Sequence, residues 1–350
     1  MRIAMLAPLY ESVPPAHYGG TERVVDWLCR ELVRAGHQVT LFGSGDSSTP
    51  ARLIPIVQRA LRPAAAPLLD PVACHLLAIE AAAERASEFD VVHSHVDYLP
   101  FRTFADLPVP LVTTLHGRLD VEGLSEIYRR WHRFPLVSIS YAQRRPLPEA
   151  AWLANVYHGL PLEDYEPGAG GGGYFAFLGR ISPEKRPHVA IDVARRLGVR
   201  LVIAAKVDAA DERYWREAVA PRLHDPRIEF VGEVDQAGKA ALLRDAIGLL
   251  NPILWPEPFG LAMIESLAFG TPVITRRCGS TPEVIAHGKV GYLCDDDEEL
   301  ANAVRRVEHV DRRDCRRWVE ERFSSARMSD EYVALYEQLA NQHPMVSQVA

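Results

Sequence analysis

Two doubly wound α/β domains are the fold this sequence predicts, and three observations carry the prediction. Apolar runs of strand length alternate with helical patterns from end to end, the order that builds a parallel sheet with helices on both faces. The chain has 350 residues, 48% of them apolar, too many for one ordinary domain and enough to fill two cores. A glycine-rich stretch, Gly168-Ala-Gly-Gly-Gly-Gly173, separates two strand–helix series and reads by composition as a flexible hinge.

In the first series the strands are expected at 2–7, 38–43, 90–94, 111–115 and 136–140. Each is short, continuous and rich in Val, Leu and Ile, as strands covered on both faces should be. Residues 21–35 form the first helix: Thr21 can cap it, Val24, Val25, Leu28, Leu32 and Val33 make one apolar stripe, and Gly36 ends it. The Ala- and Pro-rich stretch 59–73 reads as a mobile connection. In the second series strands are expected at 174–178, 199–205, 228–231, 247–251, 272–275 and 291–293. Helices are expected at 184–197, 211–222, 236–245, 260–269, 281–287, 297–308 and 311–340, the last broken near Ser324. A cleft between two such domains is the expected ligand site. No solenoid-type repeat is present.

Charge and composition narrow the function. The net charge is −7; the first 160 residues carry 15 basic and 16 acidic groups, the remainder 24 and 30. Neither half is basic, which argues against a nucleic-acid partner. The five cysteines (Cys29, Cys74, Cys278, Cys294, Cys315) are scattered, without a CxxC pair or a Cys/His cluster, and read as reduced thiols of a cytoplasmic protein. No apolar run approaches the ~20 residues of a membrane span, and the chain opens on a strand-like run without a signal-peptide layout. The aromatic–basic run Tyr128–Phe134 fits an anionic membrane surface or a helix face lying over the core, so peripheral membrane contact stays open.

The chemistry concentrates in four places. Glu257 and Glu265 stand eight residues apart astride an apolar Phe-Gly-Leu-Ala-Met-Ile run. Unpaired carboxylates are seldom buried. Pro258 and Gly260 put Glu257 before a helix and Glu265 inside it, next to helix-start N–H groups and a positive dipole end. A ligand with many hydroxyls and some negative charge suits them, and a nucleotide sugar is such a ligand. Arg180 and Lys185 lie between the first strand and first helix of the second series, where ligands of open α/β sheets bind; a guanidinium and an ammonium there suit a diphosphate, against the alternative of solvated surface charge. Gly19-Gly20 opens the first helix after a long loop and lets backbone N–H groups approach an anion, or is an ordinary strand–helix turn. His116 closes a strand and is followed by Gly117; it can bond a hydroxyl in the cleft, or be a satisfied edge histidine. His93 and His95 share a strand face without a third ligand at convincing spacing, so polar strand-end residues lining the cleft are preferred over zinc. The acids 295–299 are explained by a helix N-terminus.

Together these pieces resemble the retaining glycosyltransferases of family 4, with the GT-B fold of two Rossmann-like domains facing a central cleft. The matching segments run over nearly the whole chain: Gly19-Gly20-Thr-Glu22, Asp90-Val-Val-His93, Thr114-Leu-His-Gly117, Gly179-Arg-Ile-Ser-Pro-Glu-Lys185, Phe230-Val-Gly232, Glu257 through Glu265, and Gly279 through Glu283. The resemblance implies an acceptor-side domain over 1–160, a donor-side domain over 161–323, and a helix in 324–350 crossing back to the first domain before a tail. It implies that Arg180 and Lys185 hold the donor diphosphate and that the Gly19-Gly20 backbone touches its far phosphate. Glu257 would face the sugar hydroxyls with the N–H groups of Phe259, Gly260 and Leu261, and Glu265 the ribose. Backbone near Gly232 and Val234 would meet the base, and His116 would lie beside sugar and acceptor. Asp97, Asp120 and Tyr141 are guesses for the acceptor pocket. A Gly-Gly pair is common where Gly279-Ser280 stands, and an Asn-Gly where His158-Gly159 stands; the first domain is short.

The expected activity is metal-independent transfer of a hexosyl unit from a UDP- or GDP-sugar to a hydroxyl of a small or lipid-linked acceptor, with retention by a front-face route. The nucleotide sugar is a substrate, and no cofactor is implied. The alternative is a catalytically silent nucleotide-sugar-binding module. A dehydrogenase using NAD lacks the glycine fingerprint.

Overall fold

The computed structural model describes residues 1–17, 19–62 and 69–342. Tyr18 of the glycine turn, residues 63–68 of the Ala/Pro stretch and the tail after 342 lie outside the described residues. The chain divides into two compact units, one of residues 1–159 with those from Ser325 onward, the other Leu160–Ser324.

In the first unit the strands are β1 (Arg2–Leu6), β2 (Gln38–Ser44), β3 (Arg52–Val57), β4 (Val91–Ser94), β5 (Leu111–Thr114), β6 (Leu136–Ser138) and β7 (Trp152–Asn155). Among the described residues they form one parallel sheet in the order β3-β2-β1-β4-β5-β6-β7. Ile3, Ala4, Met5 and Leu6 of the inner strand β1 are buried, as a strand with neighbours on both edges and layers on both faces requires. The helices are α1 (Gly20–Arg34), α2 (Pro71–Ala83) and α3 (Leu124–Arg130). The first helix starts two residues earlier than a cap at Thr21 would place it. Gly19 is its N-cap and no side chain caps it.

Two edge strands and the ranges of two helices, α2 and α3, are absent from the sequence reading. Pro55 sits inside β3 and argues against a strand, yet an edge strand has no inner N–H to lose there. At the opposite edge, β7 is half-buried throughout and carries no alternation. The supposed mobile connection runs into α2, which Asp70 caps by accepting from Val72 N at 2.8 Å and Ala73 N at 3.1 Å, with Pro71 in the first turn. Its residues are apolar nearly all round, so no stripe announces it.

The second unit holds β8 (Tyr174–Arg180), β9 (Arg200–Lys206), β10 (Ile228–Gly232), β11 (Gly248–Asn251), β12 (Val273–Arg276) and β13 (Gly291–Cys294). Among the described residues they form a parallel sheet ordered β10-β9-β8-β11-β12-β13. Its helices include α4 (Pro187–Leu197), α5 (Glu212–Tyr214, continuing as a π and a 3-10 turn through Arg222), α6 (Gln236–Asp245), α7 (Leu261–Ala268), α8 (Thr281–Val284), α9 (Asp297–Val304) and α10 (Arg312–Arg322). The acids at 295–299 serve α9: Asp296 caps it by accepting from Glu299 N at 2.8 Å.

The glycine run 168–173 is no hinge. Gly168 N donates to Phe269 O at 3.0 Å, Gly168 O accepts from Arg312 Nε at 2.8 Å, and Gly172 N donates to Asp245 O at 2.9 Å. A Cβ on Gly168 would fall 2.8 Å from the carbonyl carbon of Arg244, so glycine is there for close packing. The chain passes between units elsewhere, at 159–160 and at 324–325, where Leu160 N bonds Phe323 O at 2.8 Å. This contact also marks the break near Ser324. Beyond it α11 (Ser325–Gln342) belongs to the first unit and buries Met328, Tyr332, Tyr336 and Leu339 along one stripe beside α1 and β4.

Candidate functional site

In the second unit the strand order reverses between β8 and β11. The chain runs outward from β8 through β9 to β10, then returns to β11 on the other side. That reversal opens a crevice at the carboxyl ends of the two strands, where ligands of open α/β sheets bind. Arg180 ends β8 and Lys185 follows it; Glu257 lies in the segment that leaves β11.

Lys185 Nζ pairs with Glu257 Oε2, and Trp255 Nε1 donates to the same oxygen at 2.8 Å. The ammonium also sits 5.4 Å from the centre of the Trp255 ring. Glu257 is held from behind: Ser280 N donates to its carbonyl at 3.0 Å, and Gly279, at φ +57°, passes so close that a Cβ there would lie 2.6 Å from that carbonyl oxygen. Ser280 Oγ, buried, donates to Phe259 O at 2.8 Å. The serine that replaces a second glycine is therefore accommodated by one specific bond. Gly260, at φ +87°, turns the chain into α7, placing Phe259, Gly260 and Leu261 at the helix start.

Arg180 is set among carboxylates, with Glu184 at 3.0 Å, Asp208 at 3.5 Å and Asp211 at 3.9 Å. Burial opposes ionisation of Asp208, but the bond from Lys206, at 3.1 Å, and the charge of Arg180 hold its carboxyl below the usual range. For Asp211 burial outweighs Arg180, and its carboxyl moves up. One turn into α7, Glu265 is buried; Lys239 Nζ pairs with its Oε1, and Tyr165 OH donates to the same atom at 3.4 Å. Gly232 ends β10 at a bulge with φ +76°, and Val234 follows it half-buried.

In the first unit the reversal lies between β1 and β4. Gly19 and Gly20 follow β1. Gly19 has φ +153°, and a Cβ there would meet Pro15 Cβ at 2.7 Å. Behind them Glu22 is buried beside the Glu11–Arg62 pair (3.1 Å), and burial pushes its carboxyl up to about 7. His95 follows β4 and His116 follows β5; His95 Nδ1 and His116 Nε2 are 2.8 Å apart, and the His116 ring stacks on His158 at 5.2 Å. Burial depresses all of them: His116 and His93 to about 3, His95 and His158 well below the usual imidazole range. His93 does not line an opening. It is fully buried, with Nδ1 2.7 Å from Tyr336 OH and Nε2 2.7 Å from Thr114 Oγ1.

The three acceptor candidates stand in different surroundings. Asp97 is exposed at φ +51°; Asp120 is paired with Arg118 at 2.7 Å, which holds its carboxyl below the usual range; Tyr141 is exposed, with Arg144 5.2 Å over its ring. The run Tyr128–Phe134 lies over the core: Tyr128 and Phe134 are buried and Arg133 covers the rings of Trp131 and Phe134. Sequence reasoning missed Trp255 as a partner of Glu257, Lys239 and Tyr165 as partners of Glu265, and His158 as the ring against His116. Trp255, two residues before Glu257, was within reach. The others meet their partners only through the fold of their own unit.

Comparison with known proteins bears on this arrangement. Residues 18–152 match the model of Glycosyltransferase Family 4, and 167–323 match that of Glycosyl transferases group 1. The chain belongs to the family 4/group 1 glycosyltransferases, of the GT-B fold. It is 28% identical over 337 residues to the phosphatidyl-myo-inositol mannosyltransferase of Mycobacterium leprae, covering 87% of this chain and 86% of the relative. It is likewise 28% identical over 365 residues to a glycogen synthase of Mycobacterium tuberculosis, covering 88% and 86%. Among solved structures, Anabaena HepE in complex with UDP and glucose matches with a TM-score of 0.76 at 18% identity, over 97% of this chain and all of that one. The family 4 glycosyltransferase described here has no helix, among its described residues, long and apolar enough to cross a membrane.

Proposed function

We propose that this glycosyltransferase moves a hexosyl unit from a UDP- or GDP-sugar to a hydroxyl of a small-molecule or lipid-linked acceptor, with retention of configuration and without a metal. The observation that carries the reading is the Arg180, Lys185 and Glu257 set at the β8/β11 reversal. Two cations at the carboxyl ends of strands meet the charge of a departing diphosphate, the task a divalent ion performs elsewhere. Each cation is carboxylate-paired without ligand, so a diphosphate exchanges one set of anionic partners for another.

In the reaction the bond from the sugar C1 to the diphosphate oxygen breaks as the acceptor oxygen bonds to C1 on the same face. The acceptor proton passes to the departing phosphate oxygen. Arg180 and Lys185 stabilise the charge left on the diphosphate, and Glu257 accepts from sugar hydroxyls near the N–H groups of Phe259, Gly260 and Leu261. Glu265 accepts from the ribose, backbone near Gly232 and Val234 meets the base, and the backbone of Gly19 and Gly20 serves the far phosphate. His116 bonds a hydroxyl beside the sugar. Asp97, Asp120 and Tyr141 are assigned to the acceptor side. A neutral His116 suits a hydrogen bond rather than a charge contact. The buried cysteines suit a reduced, cytoplasmic setting. Relatives named for mannosyl transfer to a phosphatidyl-inositol and for glycogen synthesis, and a neighbour holding UDP and glucose, support a hexose donor.

Thermal shift with UDP-Glc, UDP-GlcNAc, UDP-Gal and GDP-Man identifies the donor; slow hydrolysis of it, with and without EDTA, then measures turnover. Stabilisation by one donor and hydrolysis indifferent to EDTA are expected. Full activity in Arg180→Ala or Glu257→Ala would refute the site, and binding without turnover across an acceptor panel would make the chain a silent module.

A further inference from the structure

We infer that Lys239 and Tyr165 are positioning residues that hold Glu265 as an oriented acceptor for the ribose diol of the nucleotide; the inference rests on the ribose reading of Glu265. Glu265 is only 4% exposed, so its carboxylate has lost most of its hydration and must be compensated within the protein. Both protein bonds fall on one atom: Lys239 Nζ and Tyr165 OH converge on Oε1. Among the described residues Oε2 takes no hydrogen bond, yet it is not sealed from solvent. One oxygen is anchored and the other is presented.

The anchors are themselves fixed. The Tyr165 ring packs on Phe269 with centres 5.1 Å apart, its carbonyl accepts from Arg316, and its hydroxyl takes a bond from Gln236 Nε2 at 3.4 Å. That last bond leaves the hydroxyl hydrogen for Glu265. Lys239 stands on α6, whose start is capped by Asp235 accepting from Gly238 N at 2.8 Å. Gln236 Oε1, at the same place, is buried without a partner. Unsatisfied acceptors are scarce in folded proteins and cluster where a ligand completes the network. A diol needs two acceptors at fixed positions, and an orientable carboxylate held by one oxygen supplies the geometry.

A buried pair that merely tied α6 to α7 would leave nucleotide discrimination alone. The test is therefore calorimetric binding of UDP and GDP and of their 2′-deoxy and 3′-deoxy forms. It uses the full chain as wild type, Lys239→Met, Lys239→Arg, Tyr165→Phe and Glu265→Gln, with circular dichroism to establish folding. For the wild type, a deoxy form should bind roughly 10- to 100-fold more weakly, the worth of a charge-assisted bond. Lys239→Met and Tyr165→Phe should shrink that gap to within about 3-fold by weakening the parent nucleotide, and Lys239→Arg should restore part of it. A wild-type gap that persists in both folded variants would overturn the positioning role and leave Glu265 on the ribose. No gap in the wild type, with Glu265→Gln binding the parent as tightly, would remove the ribose reading and this inference with it. The Tyr165→Phe protein keeps the ring packing and decides the matter should Lys239→Met not fold.

Discussion

Replacing Gly279 by alanine perturbs the sugar end of the site without touching a charge. The residue stands at φ +57°, where an L side chain costs about 1–2 kcal/mol. The added Cβ would fall 2.6 Å from Glu257 O and 2.7 Å from the carbonyl carbon of Pro256, and closer still to Glu257 N. These are backbone atoms, so no rotamer relieves the overlap. The Glu257 segment must retreat by most of an ångström, straining the 3.0 Å bond from Ser280 N. Forced overpacking adds about 1–3 kcal/mol, so the variant should lose about 2–5 kcal/mol in all, or about 4–20 °C in Tm for a unit of this size. Displacement of a positioned group by about 1 Å costs on the order of 100-fold in rate. Donor hydrolysis should therefore drop about 100-fold in kcat/KM while the protein stays folded at 25 °C. The companion Ser280→Ala removes only the bond to Phe259 O and should cost about 1 kcal/mol with little effect on rate. A Gly279→Ala enzyme within twofold of wild type, at unchanged Tm, would refute the claim that this glycine sets Glu257.

Glu257→Gln should lower kcat/KM about 100- to 1,000-fold, the scale of losing one transition-state contact, while calorimetry finds UDP still bound, since Arg180 and Lys185 remain. Arg312 donates to Gly168 O, Ala246 O and Arg244 O at 2.8–2.9 Å and to Thr271 Oγ1 at 2.6 Å. Arg312→Met strands several buried acceptors and should cost about 3 kcal/mol or more by urea unfolding. Stability should also fall on acidification. His93, His95, His116 and His158 have folded pKa values far below 6.5. The unfolded chain thus binds more protons, and their contribution, complete above about pH 6.5, is lost progressively as pH falls below it, each at up to about 1.4 kcal/mol per pH unit. Glu22, raised to about 7 from 4.5, runs the other way: its contribution is complete below 4.5 and lost as pH rises through 7. One carboxyl cannot offset four imidazoles, so urea midpoints at pH 5 should lie well below those at pH 7.5; equal midpoints would contradict the burial of the histidines.

Much of the fold was legible because parallel strands covered on both faces must be apolar throughout. That composition marks β1, β8 and β12 without any knowledge of their neighbours. The edge strands β3 and β7 of the first sheet escape the rule, although the edges β10 and β13 of the second do not. Pro55 is tolerated in β3 because, among the described residues, β3 is the edge of its sheet, a fact about sheet order rather than about local sequence. The apolar helix α2 and the packed glycines 168, 170 and 172 were misread for a related reason: alanine and glycine runs look flexible until the partner they pack against is known. Arg244 and Phe269 supply that partner for Gly168, at a distance of many residues along the chain.

The sequence by itself determined the two α/β series, the position of Glu257 before a helix and of Glu265 inside it, and the resemblance that the family matches bear out. These depend on periodicity, on Pro258 and Gly260, and on residue identities at short range. Only the tertiary structure decided which groups neutralise which. Lys185 reaches Glu257 across 72 residues, Lys239 meets Glu265 across 26, and His93 bonds a tyrosine 243 residues away on α11. The physical reason is that compensation of a buried charge or imidazole is set by distance in space. Sheet order and helix packing fix those distances, and no local spacing encodes them.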